Sequence, residues 1–266
     1  MRGWRNWQTR KFEGLVEQSM RVQVPSLAPI KKRGYMNGVL NANNLFSLLG
    51  MLSVIIFALI IALTIFKRTD KKRMLKVGAF ILIILELIKI GYIFYTYGTL
   101  DKGYLPFDFS GIILIAISIV AFNRGRLSNY LKPFAYAFGL IISLASLILL
   151  PNTAAILSTD WSNINNFLPM WNYIFYGMIL TFVLYLRLSL EYIPKKKDII
   201  KAIITTIIFI CLVQLINLGL NTDFMGLNLG TGNLFKSILE TNGFWPYLGV
   251  QTGIVLILYF IIFMFL

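Results

Sequence analysis

Seven apolar runs divide most of this chain, and each is close to the length that crosses a bilayer. They lie at residues 45–66, 75–97, 107–122, 133–150, 167–188, 199–219 and 246–266. About 20 apolar residues in a helix span the hydrocarbon core, and a helix satisfies its own backbone polar groups in lipid, where an open sheet cannot. The third and fourth runs are short but are flanked by loop residues. The runs therefore predict an all-α, polytopic membrane protein with seven transmembrane helices.

The amino-acid composition limits the catalytic and metal-binding groups that this chain can supply. The chain is 58% hydrophobic and only 14% charged, which is far from the balance of a soluble domain. It has no histidine, so imidazole cannot serve as a general base or metal ligand. Its single cysteine, Cys211, lies in an apolar run, which excludes a disulfide framework or a cysteine-based metal cluster. We accordingly predict no metal site and no cofactor.

The basic residues predict topology rather than nucleic-acid binding, although the net charge is +14. They cluster in the first, third and fifth connections between the apolar runs, whereas the second, fourth and sixth are neutral or acidic. Loops rich in Lys and Arg stay in the cytoplasm. We therefore expect the N-terminus outside and the C-terminus inside. The basic residues are Lys67, Arg68, Lys71, Lys72, Arg73 and Lys76, then Arg124, Arg126 and Lys132, then Arg187, Lys195, Lys196, Lys197 and Lys201.

Residues 1–35 differ from the remainder, because they are basic and contain no apolar run. Residues 21–25 can be encoded by codons that resemble the T-arm of a tRNA gene, and residues 28–29 by codons that resemble its 3′ end. A ribosome-binding site can then be encoded just before Met36. We interpret residues 1–35 as a mistranslated leader without a fold, and 36–266 as the transmembrane domain. The alternative is a basic amphipathic arm lying on anionic lipid.

Ionisable residues inside the apolar runs are the first candidates for function, because they are costly in lipid and usually face an interior. Glu86 and Lys89 are three residues apart in the second run, on one helix face. Asp108 and Ser110 begin the third run. Positions two apart on a helix diverge, so these two face one point only if the helix begins irregularly, as Pro106 would allow. The alternative for Glu86 and Lys89 is a structural ion pair.

Several uncharged polar residues fall in the half of the membrane that we predict to be external. Their shared depth predicts an outward-facing polar cavity. The alternative is that each one is a separate interhelical hydrogen-bonding group. They are Asn172 and Tyr176 in the fifth run, Gln214 and Asn217 in the sixth, and Trp245 and Gln251 near the start of the seventh.

Three short motifs resemble the YwaF-like family of bacterial integral membrane proteins. Residues 105–110 read LPFDFS and follow the ILEL of residues 84–87, residues 222–227 read TDFMGL, and residues 243–247 read GFWPY before the last apolar run. The resemblance extends from Met36 to Leu266 in helix number and order. It implies a multi-pass protein of the bacterial cytoplasmic membrane whose partners are membrane lipids rather than nucleic acid.

Distant eukaryotic relatives in that wider family are lipid acyltransferases or hydrolases, and this chain departs from their catalytic motif. The family has His where Asp108 stands, Cys where Ser110 stands, and a further His near Tyr176. A serine without an adjacent base is a weak nucleophile. Asp108 and Ser110 are therefore weak catalytic candidates, and the resemblance implies a diverged, non-catalytic member.

Three functions are compatible with these residues. The leading hypothesis is a lipid-interacting protein whose polar cavity is formed by the polar residues named above. The second is a small-solute or ion permease in which Glu86, Lys89 and Asp108 line the path. The third is a structural or assembly subunit of a membrane complex.

Overall fold

The computed structural model describes residues 42–65, 71–99, 102–123, 125–149, 163–226 and 244–265. Within these residues the chain is helical, and no strand is found there. Residues 1–35, and with them the leader interpretation, lie outside the described part. Seven helices of 14 residues or more follow one another: α1 (Ala42–Ile65), α2 (Lys71–Tyr97), α3 (Phe109–Phe122), α4 (Arg126–Leu149), α5 (Ile164–Leu188), α6 (Asp198–Leu220) and α7 (Phe244–Phe265).

Six of these helices are long and apolar enough to cross a membrane, which confirms a multi-pass membrane protein that is helical throughout its described residues. The exception is α3, whose 14 residues extend about 21 Å at 1.5 Å per residue. A hydrocarbon core of about 30 Å exceeds that length. The expected third span is therefore a shorter helix than the other six, because Pro106 and the cap at Asp108 delay its start.

Helices α4 and α5 form the centre of the bundle. The former packs against α3, α5, α6 and α7, and the latter also packs against α1 and α2. In α4, 67% of the span is buried inside the protein, against 17% in α1 and in α7. The outer helices therefore present most of their apolar side chains to the surroundings, as expected of a protein whose solvent is lipid.

Glycines allow the central helices to approach closely. A Cβ atom on Gly139 of α4 would lie 2.8 Å from Val183 Cγ2 of α5, and one on Gly177 of α5 would lie 2.6 Å from Met51 Sδ of α1. Small residues at helix contacts are the usual means of packing in membranes, where burial of apolar surface gives no advantage over lipid.

The basic connections meet at one end of the bundle. The Lys71 ammonium donates to the Ser189 carbonyl oxygen at 2.6 Å, and the Lys132 ammonium donates to the Glu191 carbonyl oxygen at 3.4 Å. These contacts join the start of α2, the start of α4 and the α5–α6 connection. We call this the basic end of the bundle, and it contains described residues from the first, third and fifth connections.

Candidate functional site

The start of α3 places Asp108 and Ser110 side by side. Asp108 is the N-cap, with extended backbone angles, and its Oδ1 accepts a hydrogen bond from the Gly111 N–H at 2.9 Å. The same oxygen accepts the Ser110 hydroxyl at 2.7 Å. An N-cap residue lies outside the regular helix, so its side chain turns back over the first turn. The helix therefore begins irregularly, which is the condition under which the sequence allowed the Asp108 and Ser110 side chains to meet.

Gly111 is required by this turn. A Cβ atom on Gly111 would lie 2.0 Å from the carbonyl oxygen of Pro106 and 2.3 Å from its carbonyl carbon. Those atoms belong to the backbone and cannot move aside as a side chain would. The segment from Pro106 to Gly111 is therefore a compact turn that holds the carboxylate against the serine hydroxyl.

Side chains from two central helices complete this cluster. The Tyr176 hydroxyl of α5 interacts with the hydroxyls of Ser110 and of Ser146 in α4, and it lies within electrostatic range of the Asp108 and Glu86 carboxylates. Ser110 and Ser146 are both buried. Hydroxyl groups buried in an apolar bundle need hydrogen-bond partners. Asp108, Ser110 and Tyr176 are therefore brought together.

Glu86 and Lys89 of α2 form an ion pair inside the bundle. The Lys89 Nζ lies 2.5 Å from Glu86 Oε1, and the two residues are only 7% and 3% exposed, respectively. Neither carboxylate oxygen of Glu86 has a hydrogen bond of good geometry in the described residues. The Lys89 ammonium also lies over the ring of Trp171, 5.4 Å from its centroid. Glu86 is close enough to Tyr176 and Asp108 to interact with both electrostatically, so the ion pair borders the group formed by Asp108, Ser110, Ser146 and Tyr176.

We define the polar cluster as the seven residues Glu86, Lys89, Asp108, Ser110, Ser146, Trp171 and Tyr176. Its members come from four helices, α2 to α5. The Asp108 end of α3 and the Ser146 end of α4 are both remote from the basic end. The polar cluster therefore belongs to the half of the bundle opposite the basic lysines.

Other expected site residues lie elsewhere. Asn217 is buried, and its side chain binds the turn after α6: its amide donates to the Phe224 carbonyl at 3.1 Å, and its Oδ1 accepts the Phe224 N–H at 2.8 Å. Asn172 is exposed, and Gln214 is half-buried on α6. The side chain of Trp245 lies outside the described part of the chain.

Gln251 lines an apolar cavity of about 260 Å³ between α3, α4, α6 and α7. Its amide donates to the Tyr247 hydroxyl at 2.7 Å. Phe109, which lies between Asp108 and Ser110 in the sequence, also lines this cavity, so the cavity adjoins the turn that carries these two members of the polar cluster. The other lining residues are mostly apolar: Ile112, Phe134, Phe138, Ile141, Ile142, Thr206, Phe209, Ile210, Met225, Leu248, Thr252, Ile254 and Val255.

Neither Ser146 nor Trp171 was expected at the site from the sequence. Trp171 is 4% exposed, and its indole N–H has no hydrogen-bond partner among the described residues. The spacing of Ser143 and Ser146 on one face of an apolar helix was the available signal for Ser146. Nothing comparable distinguishes a buried tryptophan from an interfacial one, because both occur near helix ends.

The chemistry open to this arrangement is limited. The Ser110 hydroxyl hydrogen is directed at a carboxylate, but that oxygen also caps α3, and the chain has no histidine to relay a proton. A serine nucleophile depends on an adjacent, well-placed base. Hydroxyls, a carboxylate and an ammonium beside an apolar cavity can instead form hydrogen bonds with a polar group while the cavity holds an apolar tail.

No curated protein and no solved structure matches this chain. A sequence model of the TMEM164 family matches residues 40–264, which contain the seven described helices except the last residue of α7, and every member of the polar cluster. Since the match covers well over half of the chain, the protein belongs to the TMEM164 family, a family of membrane proteins.

Proposed function

We propose that this protein binds a membrane lipid, with a polar group of the lipid at the polar cluster and an acyl chain in the adjoining apolar cavity. The carrying observation is that one turn borders both: Phe109 lines the cavity and lies between Asp108 and Ser110 of the polar cluster. The apolar molecules that surround a membrane protein are lipids, so an acyl chain is the occupant that the cavity's chemistry fits.

The same proposal sets the orientation and the number of spans. The basic end faces the cytoplasm, because basic connections are retained there, and the polar cluster then belongs to the outer half of the membrane. The seven helices run from outside to inside, with the short α3 crossing beside the longer helices in the bacterial cytoplasmic membrane. We also propose that the likeness to YwaF-like proteins reflects common descent, with the catalytic His and Cys positions changed to Asp108 and Ser110.

Lipid retention tests the cavity. Thr252 lines it and is half-buried on α7, so Thr252→Trp would fill part of its volume. Val250→Trp is the matched control, because Val250 is 39% exposed on the same helix and does not line the cavity. Native mass spectrometry of detergent-purified protein should show bound phospholipid in the parent and in Val250→Trp, but less in Thr252→Trp. Equal retention in both variants would contradict the proposal.

Acyl-transfer activity separates binding from catalysis. We expect the parent to transfer no acyl group from defined phospholipids, because the serine has no imidazole partner. Activity that is present in the parent and abolished by Ser110→Ala would make the polar cluster an active centre and overturn the non-catalytic proposal.

A permease is the second candidate, and the buried Glu86–Lys89 pair is the observation that favours it, since charged groups inside spans often mark a transport path. Purified protein in liposomes would then mediate solute or ion flux that Glu86→Gln abolishes. Flux of that kind, without lipid retention, would favour the permease over the lipid-binding proposal.

A further inference from the structure

A second polar surface lies at the basic end of the bundle, and neither the polar cluster nor the apolar cavity includes any part of it. A shallow pocket of about 430 Å³ is formed by the start of α4, the α5–α6 connection and the start of α6. Four lysines line it together with two acidic residues, which leaves a net positive charge. The lining residues are Asn129, Lys132, Leu190, Glu191, Tyr192, Ile193, Lys195, Lys197, Asp198 and Lys201.

One of the two carboxylates in this pocket, that of Asp198, already interacts with neighbouring side chains. Asp198 is buried, its Oδ1 lies 2.9 Å from Lys201 Nζ, and its Oδ2 accepts the Tyr192 hydroxyl at 3.1 Å. Burial and the neighbouring Asp198 carboxylate raise the pKa of Tyr192, so its hydroxyl remains a donor at physiological pH. Asp198 is thus held by two neighbours of its own.

The other three lysines of the pocket have ammonium groups that can interact with an anion from outside the protein. Lys132 donates to a backbone carbonyl rather than to a carboxylate, and Lys195 and Lys197 are exposed. No salt bridge to any of these three is formed by the residues that the structure describes. An ammonium group without a carboxylate partner is available to an external anion.

Apolar side chains border the same pocket. Leu190 and Ile193 line it and are 56% and 50% exposed. Leu190 has φ of 61°, a left-handed conformation that a branched residue rarely adopts. Two backbone hydrogen bonds hold this segment: Leu190 N–H to the Arg187 carbonyl at 3.1 Å, and Tyr192 N–H to the Leu186 carbonyl at 3.1 Å. The α5–α6 connection is therefore a hydrogen-bonded turn that exposes two aliphatic side chains beside lysines.

We propose that this pocket binds the headgroup of an anionic phospholipid of the leaflet at the basic end, with the phosphate among the lysines and the acyl chains beside Leu190 and Ile193. Lysines alone would suit any anion, but exposed aliphatic side chains next to them fit a ligand that is anionic at one end and apolar at the other. The pocket is distinct from the lipid site proposed above, which lies in the opposite half of the bundle.

Paired charge substitutions test this site in the full chain. The pocket variant is Lys195→Gln with Lys197→Gln. The control is Lys72→Gln with Lys196→Gln, since these two exposed lysines belong to the same end of the bundle and do not line the pocket. Both variants lose two positive charges, so any effect of net charge or of membrane insertion is matched.

The measurement is competition between phosphatidylglycerol and phosphatidylcholine for the purified protein, read by native mass spectrometry from mixed nanodiscs. We expect the parent and the control variant to retain phosphatidylglycerol selectively, and the pocket variant to lose that preference by about tenfold or more. An equal loss in both variants would mean that the basic end attracts anionic lipid diffusely, which overturns the pocket. No preference in the parent would overturn it as well.

Discussion

Among single residues, Asp108 has the largest effect on the local structure of the site, because it determines both how α3 begins and what Ser110 contacts. One carboxylate oxygen caps α3 and also accepts the Ser110 hydroxyl. Sequence alone predicted that Asp108 and Ser110 could meet only if the helix began irregularly. It could not predict the second condition, which is the absence of a Cβ atom at Gly111 beside the Pro106 carbonyl.

Substitutions at Asp108 should distinguish the contribution of its helix-capping hydrogen bond to stability from that of its negative charge. Asp108→Ala removes the cap acceptor, and we expect a loss of about 1 kcal/mol of stability. Asp108→Asn keeps a side-chain oxygen that accepts the Gly111 N–H, and should retain most of that stability. Unfolding in mixed micelles monitored by circular dichroism measures both, and equal losses would show that the cap is not what Asp108 contributes.

The Glu86–Lys89 pair should behave as a unit. Either Glu86→Gln or Lys89→Met alone leaves a buried charge without its partner, which typically costs about 3–5 kcal/mol. The double variant removes both charges and should be closer to the parent than either single variant. A double-mutant cycle of unfolding free energies measures this coupling. Strictly additive losses would mean that the two side chains do not interact in the folded protein.

At the scale of helices, hydropathy located the elements well and their starts less well. The run predicted at 75–97 is the helix Lys71–Tyr97, and the run predicted at 133–150 is Arg126–Leu149. Both helices begin several residues before the apolar run, because polar and basic residues form a first turn that hydropathy does not register. In α3 the opposite happens, since the cap at Asp108 delays the helix to Phe109.

Alanine substitutions of glycine should show which positions require it. Gly111→Ala places a methyl group against backbone atoms of Pro106, so we expect a clear loss of thermal stability and disruption of the Asp108–Ser110 contact. Gly91→Ala is the control, because no atom lies within 4 Å of its Cβ position in α2. Alanine favours a helix by about 1 kcal/mol over glycine, so the control should be neutral or stabilised. A Gly111→Ala protein as stable as Gly91→Ala would contradict the described turn.

At the scale of the whole molecule, shared membrane depth proved a weak guide to shared location. Asn217 and Tyr176 were both assigned to the outer half of the membrane, yet Asn217 binds the backbone of the turn at Phe224 while Tyr176 interacts with Ser110. Depth follows from position along a helix, whereas contact depends on helix rotation and on the neighbouring helix. The weak amphipathicity of a lipid-facing helix leaves that rotation undetermined by sequence.

Cysteine accessibility tests the proposed orientation. In a Cys211→Ser background, Lys197→Cys marks the basic end and Thr99→Cys marks the other end, and both positions are exposed. A membrane-impermeant maleimide should label Thr99→Cys in intact cells, and Lys197→Cys only after the membrane is permeabilised. The reverse labelling pattern would place the N-terminus inside and the polar cluster in the inner half of the membrane.

Photocrosslinking tests most directly whether a lipid occupies the space beside the polar cluster. Benzoylphenylalanine at Phe109 would lie in the cavity wall next to Ser110, whereas at Phe80, which is 57% exposed on α2, it would face bulk lipid. We expect phospholipid crosslinks at Phe109 that persist after detergent purification, and crosslinks at Phe80 that form only in the bilayer. Crosslinks from Phe109 to protein alone would contradict lipid occupancy of the cavity.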